Sequence, residues 1–168
     1  MKSIIVTGGA GFIGAAFAQK SMNHGWKVRI LDNLSTGLES SAEVLSQMGA
    51  EVHIGDIRDE SLLDKAMKGC DAVFHLAALI GIPYSYISPL AYLRTNVEGT
   101  YNVLEAGKLN NLEQILITST SETYGTAQYV PIDEKHPLNA QSPYAASKIG
   151  ADQMANSFYK SFNLPIST

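Results

Sequence analysis

Ser3-Ile4-Ile5-Val6-Thr7-Gly8-Gly9-Ala10-Gly11-Phe12-Ile13-Gly14 is the stretch on which the fold turns. A short apolar, β-branched run leads directly into three spaced glycines, and the residues after them continue at helical period. Gly8 permits a tight turn, Gly11 lets a pyrophosphate approach the backbone, and Gly14 allows a helix to lie close on the strand. Gly8, Gly11, Phe12, Ile13 and Gly14 are therefore the expected contacts of a bound dinucleotide. Asp32 closes the next strand, where a carboxylate can accept bonds from an adenosine ribose, with Asn33 beside it. A carboxylate there repels a 2′-phosphate, and no Lys or Arg occurs from Ile30 through Ile57, so NAD is favoured over NADP.

Outward from this turn, β-type runs alternate with helical segments, the sign of a parallel sheet covered on both faces. Strands are expected at about Ser3-Thr7, Val28-Leu31, Glu51-Ile54, Ala72-Leu76 and Gln114-Ser119. Between them Phe12/Ile13/Ala16/Phe17, Val44/Leu45/Met48 and Leu62/Leu63/Ala66/Met67 each offer an apolar stripe. Gly25 and Gly49 stand where helix C-caps are needed. Longer helices are expected from about Pro89 to Leu109 and from Tyr144 to Phe162, the second buried through Met154, Phe158 and Phe162. Gly125 to Pro143, with Pro131, Pro137 and Pro143, reads as an active-site loop. Leu164 to Thr168 reads as a sixth strand only begun. The fold class is α/β, a doubly wound parallel sheet of Rossmann type, with residues 1–168 forming one cofactor-binding domain.

Composition narrows the partners. The 168 residues are 45% hydrophobic and 17% charged with a net charge of -4, which fits a globular chain with strands buried on both faces. No Lys/Arg cluster offers a footprint for nucleic acid or an anionic membrane. The single cysteine, Cys70, precedes a buried strand and has no positive neighbour in sequence, so a structural thiol in a reducing cytoplasm is expected. Glycines interrupt the N-terminal apolar run before a signal-peptide core, and no run is long enough to span a bilayer. His24, His53, His75 and His136 lack metal-ligand spacing, so no metal is expected, and His75 reads as a satisfied core histidine.

The chemistry-bearing segments are Thr118-Ser119-Thr120-Ser121-Glu122-Thr123-Tyr124-Gly125 and Tyr144-Ala-Ala-Ser-Lys148. On a helix, Tyr144 and Lys148 share a face, so the ammonium can stabilise an ionised phenol and make it a base. Thr120 can hold a reacting oxygen, and Glu122 is a second base. Asp56 and Ile57 follow the third strand where an adenine would lie, and Leu76, Ala77 and Ala78 let a cofactor lie close to the backbone.

With Asn96-Val97-Glu98-Gly99-Thr100 added, these motifs in this order resemble the extended short-chain dehydrogenase/reductase family, the nucleotide-sugar epimerases and dehydratases. The resemblance implies that Tyr144 removes a hydroxyl proton during C4 oxidation, that Lys148 holds the nicotinamide ribose, and that Thr120 bonds the reacting oxygen. It also adds Asn96 to the cofactor-binding residues. Glu122 suggests a 4,6-dehydratase, with Glu122 as the C5 base. Ser121 stands where dTDP-glucose dehydratases place an Asp that protonates the leaving oxygen. Uronate decarboxylases and 4-epimerases of the same family stay open as alternatives, as does a non-catalytic dinucleotide-binding module. Leu79 to Tyr86 and Tyr124 to Glu134 look most like UDP-N-acetylglucosamine 4,6-dehydratases, with Tyr84 and Tyr86 as candidate substrate contacts. By the same resemblance a C-terminal substrate domain would follow and is absent, so weak NAD binding at best and little or no turnover are expected from these residues alone. A homodimer through the two long helices is expected.

Overall fold

Strand β1 (Ser3–Thr7) carries Ile4, Ile5 and Val6, each at most 1% exposed, so both of its faces are covered. That is the position of a central strand in a parallel sheet. In the computed structural model, which describes residues 2–168, it pairs in parallel with β2 (Lys27–Asp32) and β4 (Ala72–His75). β3 (Glu51–Ile54), β5 (Gln114–Ile117) and β6 (Ile166–Ser167) extend the sheet to the order β3-β2-β1-β4-β5-β6, parallel throughout. Strand order reverses between β1 and β4, which opens a crevice at their carboxyl ends.

The two-residue period of the strands divides the core. Ile4 and Val6 join Val28, Ile30 and Ala72 beneath α1 (Phe12–Asn23) and α2 (Glu39–Gln47). Ile5 joins Leu31, Val73, Ile115 and Ile117 on the opposite face, under α3 (Glu60–Met67), α6 (Gly99–Leu109) and α7 (Pro143–Phe162). Gly25 and Gly49 end α1 and α2 at φ +80 and +104, as C-cap glycines do. Asp59 caps α3 by accepting from the Leu62 N–H at 3.0 Å, and Ser142 caps α7 by accepting from the Ala145 N–H at 3.0 Å.

Several expectations need correction: Val44 on α2, Met48 at its C-cap and Phe162 on α7 are exposed, so Ala42 with Leu45 and Ala155 with Phe158 carry those stripes. The buried stripe of α1 is Gly14, Ala18 and Ser21, with Phe17 half-buried against Phe74, while Phe12 is 97% exposed and Ile13 65%. Close contact between helix and strand admits only small side chains there, so the large apolar residues turn outward. Residues 82–87 form a short helix that the sequence did not predict, α4 (Ile82–Ile87), with Pro83 in its first turn. The helix from Pro89 to Leu109 is continuous but has three parts: α5 (Pro89–Tyr92), a π-helical turn (Leu93–Glu98) and α6. No helix is long and apolar enough to cross a membrane among the described residues.

Candidate active site

The glycine turn is shaped by close approaches. Gly8 has φ +72, and a Cβ there would lie 2.8 Å from the Ala77 nitrogen; at Gly14 a Cβ would lie 2.1 Å from the Gly8 carbonyl oxygen. Gly11 caps α1 without a side-chain bond, and no acidic residue lies in the first turn. The helix thus presents free N–H groups and the positive end of its dipole to the crevice, a receptor for a diphosphate. Phe12 and Ile13 are the residues that carry those N–H groups.

Asp32 is 7% exposed and accepts from the Ala10 N–H at 2.9 Å and the Leu34 N–H at 2.8 Å. Each carboxylate oxygen keeps a lone pair for a ribose hydroxyl. Gly37 closes over it, since a Cβ there would lie 2.8 Å from its Oδ1. Asp32, Asn33, Gly55, Asp56, Ile57, Ala77, Ala78 and Thr95 border a narrow cleft. Asn33 Nδ2 donates to Asp56 at 2.8 Å. The Arg58 guanidinium, bonded to Asp56 at 2.9 and 2.7 Å, holds that carboxyl well below the usual carboxylate range. Arg58 is thereby committed to Asp56, so a 2′-phosphate would meet two carboxylates at the ribose end.

His75, at the end of β4, bonds on both nitrogens, and its partners fix the tautomer. The Thr100 hydroxyl donates to the Asn96 carbonyl at 2.6 Å, so it accepts from His75 Nε2–H at 3.0 Å. Nδ1 then accepts from the Thr7 hydroxyl at 2.7 Å, whose oxygen in turn accepts from the Ala77 N–H at 3.3 Å. Burial, helped by the Lys148 charge, holds the imidazole down at about 3, so it is neutral. His75 ties the β1 and β4 ends to the π turn, as a satisfied core histidine.

Asn96 is 1% exposed. Its Oδ1 accepts from the Leu79 N–H at 2.9 Å, and its Nδ2 donates to the Leu79 carbonyl at 3.0 Å and to Ser147 Oγ at 2.9 Å. Ser147 Oγ donates to the Tyr144 carbonyl at 2.7 Å. Asn96 thus clamps the loop after β4 to the start of α7.

Tyr144 is 8% exposed and Lys148 6%, on the inner face of α7. Lys148 Nζ donates to the Thr118 carbonyl at 2.5 Å, and burial lowers its pKa while the Asp152 charge works against the shift. Thr120 begins a one-turn 3-10 helix (Ser121–Thr123) that packs on α7, its hydroxyl oxygen accepting from the Glu122 N–H at 3.3 Å. Ser121 and Glu122 are both exposed on that turn. Tyr92, 1% exposed, meets the Tyr144 ring edge-on at 6.2 Å and donates to the Gly81 carbonyl at 2.5 Å. The α1 N-terminus thus offers unpaired N–H groups and Asp32 a buried acceptor, while α7 carries Tyr144 and Lys148 on the face against which the turn bearing Thr120 and the exposed Glu122 packs.

The family model for GDP-mannose 4,6 dehydratase matches residues 5–168. The chain belongs to this nucleotide-sugar epimerase/dehydratase family. A UDP-glucose 4-epimerase of Streptomyces lividans is 38% identical over 153 residues, which cover 89% of this chain and 45% of that protein. Among solved structures, a UDP-N-acetylglucosamine 4-epimerase from Methanobrevibacter ruminantium in complex with UDP-N-acetylmuramic acid superposes with a TM-score of 0.92. It is 34% identical, and the match covers 98% of this chain and 53% of that one. A dTDP-glucose 4,6-dehydratase from Streptomyces venezuelae with NAD and TYD bound has a TM-score of 0.90 at 31% identity, covering 98% and 53%. The chain spans about half the length of the curated relatives it matches.

Gly8, Asp32, Asn33, Asp56, Ile57, Ala77 and Ala78 border the cleft, Gly11, Phe12 and Ile13 stand at the α1 N-terminus, Gly14 packs against Gly8, and Leu76 is half-buried against the core beneath α1 and α2. Asn96 does not face the cleft with a free polar group: its amide is spent on Leu79 and Ser147. Tyr84 and Tyr86 separate, because two residues apart on α4 they point to different sides. Tyr84, 51% exposed, meets the Tyr92 ring at 6.2 Å in a tilted arrangement, whereas Tyr86 is 62% exposed. Cys70 gains a cation the sequence did not show, since Arg29 reaches Sγ at 3.4 Å, but burial raises the thiol pKa and the reading of a structural thiol stands. Gly9, Gly37, Thr95 and Tyr92 were not anticipated. Gly9 had a signal, being one more glycine in the turn; a Cβ there would lie 2.4 Å from Ile30.

Proposed function

We propose that this chain is the NAD-binding and proton-transferring portion of a nucleotide-sugar 4,6-dehydratase acting on a UDP-N-acetylglucosamine-like substrate. The observation that carries the reading is Glu122, an exposed carboxylate on the one-turn helix directly beyond Thr120, packed against the helix that bears Tyr144 and Lys148. NAD fits the uncapped α1 N-terminus and the Asp32 acceptor, and when bound it supplies reversible oxidation of the sugar at C4 and reduction at C6. Tyr144 takes the proton of the C4 hydroxyl, whose oxygen the Thr120 hydroxyl orients. Lys148 lends its charge to the phenolate and its N–H groups to the nicotinamide ribose. A C4 ketone acidifies the C5 hydrogen, and Glu122 removes it as the C6 hydroxyl leaves with a proton as water. Ser121 is a poor acid, so that proton comes from Glu122 or through water.

Two further readings accompany this. Residues Leu93, Tyr101, Leu109, Tyr159 and Phe162 are apolar or aromatic and at least 40% exposed along the two long helices, which supports a homodimer paired through them. A monomer by light scattering at micromolar concentration would contradict it. A cytoplasmic setting suits a single free thiol and an NAD-dependent reaction.

The test of the chemistry is the mass of the product. The full product of the reading frame, given UDP-N-acetylglucosamine and NAD, should release a sugar nucleotide lighter by one water. An unchanged mass, an epimer, or loss of carbon dioxide from a UDP-uronate instead would overturn the dehydratase reading. Failure of NAD to bind the 168-residue chain would remove its cofactor half as well.

A further inference from the structure

Asp152 has no role in the chemistry above. It stands one helical turn beyond Lys148 on α7, so both side chains rise on one face. Its Oδ2 accepts from Ser119 Oγ at 2.5 Å, while its Oδ1 is buried with no hydrogen-bond partner among the described residues. Ser119 lies between Thr118, whose carbonyl accepts from Lys148, and Thr120, whose hydroxyl starts the Glu122 turn. The segment from Thr118 to Thr120 is therefore gripped twice by α7, once by the ammonium and once by the carboxylate.

A half-buried carboxylate that spends one oxygen on a neutral hydroxyl and leaves the other, buried, oxygen bare is costly unless a cation offsets it. Lys148, one turn away on the same face of α7 and forming no ion pair with it, is the cation placed to do so from a distance. Burial lifts the Asp152 carboxyl, and the Ser119 bond and the Lys148 charge oppose the lift; the same carboxylate opposes the effect of burial on Lys148. The ammonium donates to the Thr118 carbonyl, so Asp152 acts on it across space and through Ser119. His75 on β4, which feels the Lys148 charge, is itself neutral, and the exposed carboxylate of Glu122 stands on the turn packed against α7.

We infer that Asp152 is a positioning residue of the reacting centre: through Ser119 it holds the Thr118–Thr120 segment against α7, and its charge keeps the Lys148 ammonium protonated. The inference rests on the role proposed for Lys148 in binding the nicotinamide ribose. Two substitutions divide its parts. Asp152→Asn keeps an acceptor for Ser119 and removes the charge, whereas Ser119→Ala keeps the charge and removes the bridge.

The experiment is an NMR titration of the Lys148 side-chain nitrogen in the labelled 168-residue chain, assigned with Lys148→Arg, together with NAD affinity against pH. Asp152→Asn should lower the Lys148 midpoint by about 1 pH unit and move the alkaline loss of NAD affinity down with it, and Asp152→Glu should restore both. Ser119→Ala should shift the midpoint less, quicken amide exchange at residues 119 and 120, and weaken NAD several-fold. An unchanged Lys148 midpoint in folded Asp152→Asn overturns the inference. Where that variant does not fold, unchanged exchange and NAD affinity in Ser119→Ala overturn it equally. If the unaltered chain binds no NAD, the proposed function fails while the lysine titration still decides the part played by Asp152.

Discussion

Gly11→Ala and Gly14→Ala, compared side by side, separate binding from folding within one turn of chain. At Gly14 the new methyl carbon would stand 2.1 Å from the Gly8 carbonyl oxygen, a backbone atom that cannot rotate away. Restoring an ordinary contact means moving α1 off the strand by roughly 1 Å, against a well-packed sheet. Overpacking of this kind costs about 1–3 kcal/mol, and a backbone obstacle puts it at the upper end. The better helix propensity of alanine returns about 1 kcal/mol, leaving a net loss of ~2 kcal/mol. For a chain of this size that lowers Tm by roughly 4–8 °C. At Gly11 the methyl meets only the Gly8 oxygen, at 3.2 Å, and otherwise open crevice. The loss of a glycine cap costs about 1 kcal/mol, or roughly 2–4 °C. The same methyl stands where the diphosphate must reach the α1 N–H groups, and losing one or two charge-assisted bonds at about 1.5–3 kcal/mol each weakens NAD at least tenfold. Thermal unfolding by circular dichroism without cofactor, and NAD titration by calorimetry, read the two effects. Gly11→Ala that binds NAD within about twofold of the unaltered chain, or Gly14→Ala that melts within about 1 °C of it, would refute the assignment of these glycines.

Asp32→Ala should strand the Ala10 and Leu34 N–H groups, lowering stability by about 2 kcal/mol in urea unfolding, and should narrow the preference for NAD over NADP in competitive titration. His75 is neutral when folded, with a pKa of about 3, and titrates near the ordinary histidine value of 6.5 when unfolded. Protons therefore bind the unfolded state first, and stability falls as pH drops through that window by at most about 1.4 kcal/mol per pH unit. Subtracting the pH dependence of His75→Gln from that of the unaltered chain should isolate this component, and identical curves would contradict it. Tyr144→Phe in the full reading-frame product should keep NAD affinity within about threefold while abolishing the absorbance change of cofactor reduction. Lys148→Met should weaken NAD and leave the Thr118 carbonyl without its donor.

The glycine turn, Asp32 and the alternation of elements were legible because each reflects a local demand: a tight turn, an acceptor at a strand end, a buried two-faced strand. All five strands proposed from sequence lie within two residues of their observed bounds, as the apolar runs alone place them. The stripe on α1 was misread because periodicity identifies a helix but not which face a glycine-lined contact will accept. The α4 helix escaped notice because six residues around Pro83 have too little period to register. Asn96 was tied to the cofactor by resemblance alone; its spacing gives no sign that Leu79 would return to meet it. Asp152 and Ser119 are 33 residues apart, and nothing local in either segment announces the bond between them.

The π turn at Leu93–Glu98 makes this part of the chain sensitive to length as well as to composition. An α-helix advances about 100° per residue, so removing one residue from the turn would let the ladder close as plain α-helix while rotating one half against the other by that angle. Thr95 could then border the cofactor cleft, or Val103 and Leu104 could stay in the core, but not both. Asn96 and Thr100, spaced to meet Leu79 and His75, would be carried off with one half or the other. A scan of single-residue deletions along Pro89–Leu109 should therefore find the exposed C-terminal end tolerant and the turn intolerant, even where every individual substitution in it is accepted.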